Sequence, residues 1–147
     1  MKLRDLNEKQ NEKKDKNYFL TNIEEDTVKN KDYRRVLFTA TGSQLVLMSI
    51  PPKEQIGEEV HDTIDQFIRV EKGKGKLVID GKKSTISDGS AFIIPKGTRH
   101  NVVNDSDEDL KLYSVYSPPN HARGVVQKTK EDSIASEEHF DGKTDIE

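Results

Sequence analysis

The chain has 147 residues, a formal net charge of −3, 31% hydrophobic and 35% charged residues. That length suits one domain around one core, and the nearly balanced charge gives no electrostatic reason to expect nucleic acid or an acidic membrane surface as a partner. With no cysteine in the chain, disulfides, thiolate metal sites and a cysteine nucleophile are excluded, so any metal must be held by His, Asp, Glu or amide groups.

Residues 1–17 carry many charges and only Leu3 and Leu6 as internal apolar residues. This is too little to bury against the entropy of ordering, so a flexible arm is expected. The same stretch lacks the apolar segment of a signal peptide, and no later run is long enough to span a bilayer, which predicts a soluble cytoplasmic protein. Asn22, with Glu25 three residues on, predicts a capped helix from residue 23 to about 30.

From Arg35 onward short runs of Val, Ile, Leu, Phe and Tyr are each bounded by Gly, Pro, Asp or Asn. This pattern predicts strands near 35–40, 44–50, 59–62, 66–72, 75–80, 83–87, 91–95, 100–104 and 110–116. Asp80-Gly81 lies between two of them, the dipeptide a tight hairpin with positive φ angles requires. Many short strands with almost no central helix predict an all-β sandwich or barrel. Pro118-Pro119 end the last strand, and Thr129 with Asp132 predicts a second helix to about His139, with Gly142 beyond its end and a frayed tail after it. The expected organisation is an arm over 1–17, a β-barrel domain over 18–117, and a loop, helix and tail over 118–147.

Of the four histidines, at 61, 100, 121 and 139, the first two fall inside strand-like runs. Residues two apart on a strand share a face, so Glu59 projects with His61, His100 with Val102 and Asn104, and Gln66 with the apolar Ile68 and Val70. A carboxylate, two imidazoles and an amide converging inside a small barrel are costly to bury unless something satisfies them, and a divalent metal would. Two nitrogen and two oxygen donors suit Mn, Fe, Co, Ni, Cu or Zn better than Ca or Mg.

The segment Gly89-x5-Pro95-x-Gly97-x2-His100-x3-Asn104 matches every fixed position of the second motif of the cupin superfamily, and the chain resembles a small single-domain bacterial cupin. The first cupin motif, G-x5-H-x-H-x(3,4)-E-x6-G, is similar in spacing to Lys53-x5-Glu59-x-His61-x4-Gln66-x6-Gly73, with three identities changed. The resemblance implies a double-stranded β-helix, or jelly-roll barrel, and carries the metal ligands onto Glu59, His61, Gln66 and His100. Glu59 then stands where the family has an imidazole, and the neutral Gln66 where it has a carboxylate. Pro95 and Gly97 end the strand and aim His100 inward, while Asn104 is expected to bond backbone.

The resemblance further implies a metal-dependent enzyme acting on a small polar molecule, either an isomerase of a sugar or sugar phosphate or a dioxygenase. In the first case Glu59, if not a ligand, moves a proton. The alternative is a non-catalytic ligand-binding or storage module. A homodimer is the default for cupins of this size. Lys96, Arg99, Arg69, His121 and His139 are expected in solvent, and Tyr113, Tyr116, Phe67 and Phe92 in the core or an interface.

Overall fold

The computed structural model describes residues 17–146; all but the last residue of the arm expected over 1–17 lies outside them. Helix α1 (Ile23–Lys29) begins where expected, because the Asn22 side chain accepts the Glu25 amide proton at 3.0 Å. Its inner face is polar: Asp26, Thr27 and Asn30 are wholly buried, and the Lys111 ammonium donates to the Asn30 carbonyl. Among the described residues no helix is long and apolar enough to cross a membrane.

The strands are β1 (Arg34–Thr39), β2 (Gln44–Ile50), β3 (Asp65–Lys72), β4 (Lys74–Ile79), β5 (Lys82–Ser87), β6 (Ala91–Ile94), β7 (His100–Val103), β8 (Leu110–Ser117) and β9 (Val126–Gln127). They form two antiparallel sheets, in the orders β6-β3-β8-β2-β1-β9 and β5-β4-β7. Asp80 and Gly81 turn β4 into β5 with φ of +49° and +81°, as the dipeptide predicted.

Register partners in antiparallel strands share a face. Val46, Ser114, Ile68 and Phe92 therefore make one row across the large sheet, and Met48, Leu112 and Val70 another. Ile86 from β5 and Val102 from β7 close on these rows from the small sheet to complete the core. The result is the double-stranded β-helix, folded so that a third row, Gln44, Tyr116, Gln66 and Ile94, puts two buried amides and a phenol at one edge of an apolar interior.

Three expectations are corrected. No strand forms over 59–62; only Glu59 pairs, as an isolated bridge with His100, because the His61 carbonyl turns away to accept the Gly97 amide at 2.7 Å. The second helix, α2 (Lys130–Ala135), is capped by Thr129 as predicted but stops short of His139. Tertiary bonds take over beyond it: Glu138 engages His121, and the Phe140 amide donates to the Asn120 carbonyl. The tail is docked rather than frayed, since Asp145 is 5% exposed and exchanges bonds with Thr39 at 2.8 and 2.9 Å.

Candidate functional site

The second-motif turn is stitched to the segment before β3. Gly97 adopts φ of +82°, a conformation that side chains resist, and its amide meets the His61 carbonyl. The Lys96 amide donates to Asp65 Oδ1 at 2.9 Å. Beyond the turn, Glu59 and His100 exchange both backbone bonds, at 2.8 and 2.9 Å, so their side chains leave from the same face. At the far end of β7, Asn104 Nδ2 donates to the carbonyls of Ile50, Pro51 and Glu108 at 2.9, 3.0 and 2.7 Å. Asn104 bonds backbone, as expected.

His100 is 5% exposed, and its Nδ1 lies 2.9 Å from the Thr98 carbonyl. A carbonyl only accepts, so Nδ1 carries a proton and directs it at Thr98. The His61 ring stands 5.4 Å away, centroid to centroid, and His61 Nε2 meets Glu59 Oε2 at 3.2 Å. Burial alone would raise the Glu59 carboxyl, but the bond to His61 and the charges of His61, Arg34 and His100 outweigh it and hold the group below the usual carboxylate range. Gln66 is buried as predicted; its Nε2 donates to Ser114 Oγ at 3.2 Å, while its Oε1 is buried without any donor.

Three of the four expected ligands, Glu59, His61 and His100, are thus neighbours, and Gln66 stands beside Tyr116, whose ring lies 6.0 Å from that of His61. Among the described residues, however, no three His, Cys, Asp or Glu side chains are drawn to a common point as a metal cluster; Glu59 and His61 engage each other instead. A surface groove of about 360 Å³ beside α1, lined by Asn22, Glu24, Glu25, Val28 and Lys29, holds none of these groups.

A second cluster adjoins the first. His121, expected in solvent, is 8% exposed, and its Nδ1 donates to Glu138 Oε2 at 2.7 Å while the Ala122 amide donates to Oε1 at 2.7 Å. Burial holds the His121 imidazole below its ordinary value against the pull of Glu138. Glu138, which burial alone would raise, is lowered by His121, the Ala122 amide and the Arg34 charge. The pair is therefore a neutral imidazole donating to a carboxylate. Its Nε2 faces Tyr116 Oη at 3.4 Å, and burial pushes the Tyr116 phenol well above its ordinary value, so it keeps its proton. Gln44 fixes this segment to β2, accepting from the His121 amide at 2.9 Å and donating to the His121 carbonyl at 2.7 Å.

Gln44, Arg34 and Glu138 were not singled out from sequence. The signal for the first two exists: Gln44 is in phase with Val46, Met48 and Ile50, and Arg34 with Val36 and Phe38, so both are polar residues at inward positions. Nothing local marks Glu138.

Over residues 46–116 the sequence matches the family model described as Cupin domain. It is 41% identical over 126 residues to the uncharacterized protein YrkC of Bacillus subtilis, covering 82% of this chain and 68% of that protein. The chain is a cupin. It is also 42% identical over 123 residues to the uncharacterized protein L612 of Acanthamoeba polyphaga mimivirus, covering 80% of this cupin and 76% of that protein. Its fold matches the crystal structure of BH2720 from Bacillus halodurans with a TM-score of 0.79 and 42% identity, over 80% of this cupin and 94% of that chain.

Proposed function

We propose that this cupin holds a first-row divalent metal ion inside the barrel and acts as an enzyme on a small polar molecule. The residues that would hold the ion are Glu59, His61 and His100, with the Gln66 amide oxygen as the fourth donor. The observation that carries this reading is Gln66 Oε1: a buried acceptor without a donor is costly, and a cation removes the cost. The donor chemistry agrees. His100 has its Nδ1 proton committed to a carbonyl, the arrangement that orients a ligating imidazole, and Glu59 is held in its ionised form.

Bound there, such an ion supplies Lewis acidity for isomerising a sugar or sugar phosphate, or redox chemistry for a dioxygen-dependent oxidation. The chain's own part is to orient and to handle protons. Tyr116 stays protonated and donates, the apolar rows of β2, β3 and β8 exclude water, and a Glu59 carboxylate outside the coordination sphere accepts a proton.

The contact between Glu59 and His61, with no third ligand drawn to it, favours a second reading in which this pair moves protons without metal. Elemental analysis of protein purified without chelator, before and after loading with manganese, iron and zinc, separates the two. The metal reading expects one ion per chain, lost in His100→Ala, with oxygen uptake then dividing oxidation from isomerisation. A wild-type chain that carries no metal and takes up none overturns it, leaving the metal-free acid–base pocket or a non-catalytic ligand-binding module.

A further inference from the structure

Arg34 is the one guanidinium that the large sheet carries into the protein's interior, with 7% of its surface exposed. Both of its hydrogen bonds leave from Nη1, to Gln127 Oε1 at 2.8 Å and to Ser133 Oγ at 2.7 Å. These acceptors are neutral, so they aim the group without balancing its charge. Its Nε is buried with no acceptor, and among the described residues no hydrogen bond leaves from Nη2. The edge made by Nε and Nη2, which carboxylates and phosphates take in a two-point grip, is therefore without a partner.

Among the described residues no carboxylate forms an ion pair with Arg34. In register Arg34 stands opposite Met48, so it extends the interior row that runs on through Leu112 and Val70. The two carboxylates of the site are already engaged, Glu59 with His61 at 3.2 Å and Glu138 with His121 at 2.7 Å. A buried cation is costly by itself unless an anion meets it. The Arg34 guanidinium carbon lies 5.4 Å from the Tyr33 ring centroid, a contact that contributes too little to replace a counter-ion.

We propose that Arg34 is the anchor for an oxyanion of the ligand, so that this cupin takes a small molecule bearing a carboxylate or a phosphate. The assignment rests on the barrel being the ligand site, as proposed above, and adds the class of molecule that enters it. A purely structural Arg34, clamping β9 and α2 to β1, would stabilise the fold and have no preference between a charged ligand and a neutral one of the same shape.

The test follows the Arg34 Nε–Hε signal by nitrogen-15 resolved NMR, identified by its loss in Arg34→Lys. Protein with and without zinc is titrated at constant ionic strength with acetate, with inorganic phosphate and with acetamide, the neutral isostere of acetate. A saturable shift is expected with acetate or phosphate and none with acetamide, and calorimetry is expected to show oxyanion binding at least about tenfold weaker in Arg34→Met and Arg34→Lys. Which oxyanion binds more tightly identifies the group. Equal responses to acetate and acetamide, or a signal that neither oxyanion moves, overturn the assignment. If zinc is taken up one per chain while the signal stays silent, the anchor fails and the metal reading stands. A signal that follows acetate in a chain that takes up no zinc does the reverse.

Discussion

Glu138→Ala removes the carboxylate that ties the segment after α2 to the loop after β8. The side chain accepts two bonds of 2.7 Å, one from His121 Nδ1 and one from the Ala122 amide. Hydrogen bonds to an ionised group contribute about 1.5–3 kcal/mol each, and the side chains of His121 and Glu138 are only 10% and 15% exposed. Water at the rim can replace part of the loss, so the lower end of that range applies twice and the expected cost is about 3 kcal/mol. For a domain of this size that lowers the melting temperature by roughly 10 °C. The chain has no tryptophan, so unfolding in urea is best followed by far-ultraviolet circular dichroism. A cycle with His121→Ala isolates the pair: the double variant should lose less than the sum of the single ones, with a coupling of about 1.5 kcal/mol for the one bond they share. Native-state hydrogen exchange should show the amide of Ala122 losing protection first. Additive single losses, or a Glu138→Ala cost below about 0.5 kcal/mol, would refute the view that this carboxylate holds the segment down.

Asn104→Ala strips three carbonyls and the Ser106 amide of a partner with no surface exposure, and should cost about 2–4 kcal/mol in urea unfolding; a loss under about 1 kcal/mol would mean that Asn104 is not the clamp on the strand bearing His100. Acidification should also destabilise the protein. His121 is held below its ordinary value of 6.5 and Glu138 below 4.5, so each binds fewer protons folded than unfolded. Their contribution is complete above those values and is lost as pH falls, His121 first. The melting temperature should drop between about pH 7.5 and 5.5 in the wild type and less steeply in His121→Gln; a flat or rising profile in the wild type would contradict the buried neutral imidazole.

What could be read before folding was whatever is decided by residues close together in the chain. Asn22 and Thr129 cap their helices through amides three residues on, and Asp80-Gly81 supplies the two positive φ angles of its own hairpin. Gln66 was placed inside because it alternates with Ile68 and Val70. Pro95, Gly97, His100 and Asn104 were legible as a unit, since the turn and the strand it feeds lie within ten residues. The cupin fold followed from these local patterns together with the motif.

The remainder of the site depends on contacts between distant parts of the chain. Arg34 and Gln127 are 93 positions apart, and Gln44 and His121 are 77 apart. Arg, Glu and His in loops and at strand ends are solvated by default, and nothing near Glu138 says that helix α2 will stop at Ala135 and turn this residue onto a histidine. The sequence by itself therefore determined the barrel and the residues on its inward strand faces, because side-chain alternation and turn chemistry are properties of short segments. Only the tertiary structure decided that the C-terminal segment folds back over that barrel, burying His121 with Glu138 and leaving Arg34 inside with no counter-ion among the described residues, because that outcome is set by which surfaces pack together.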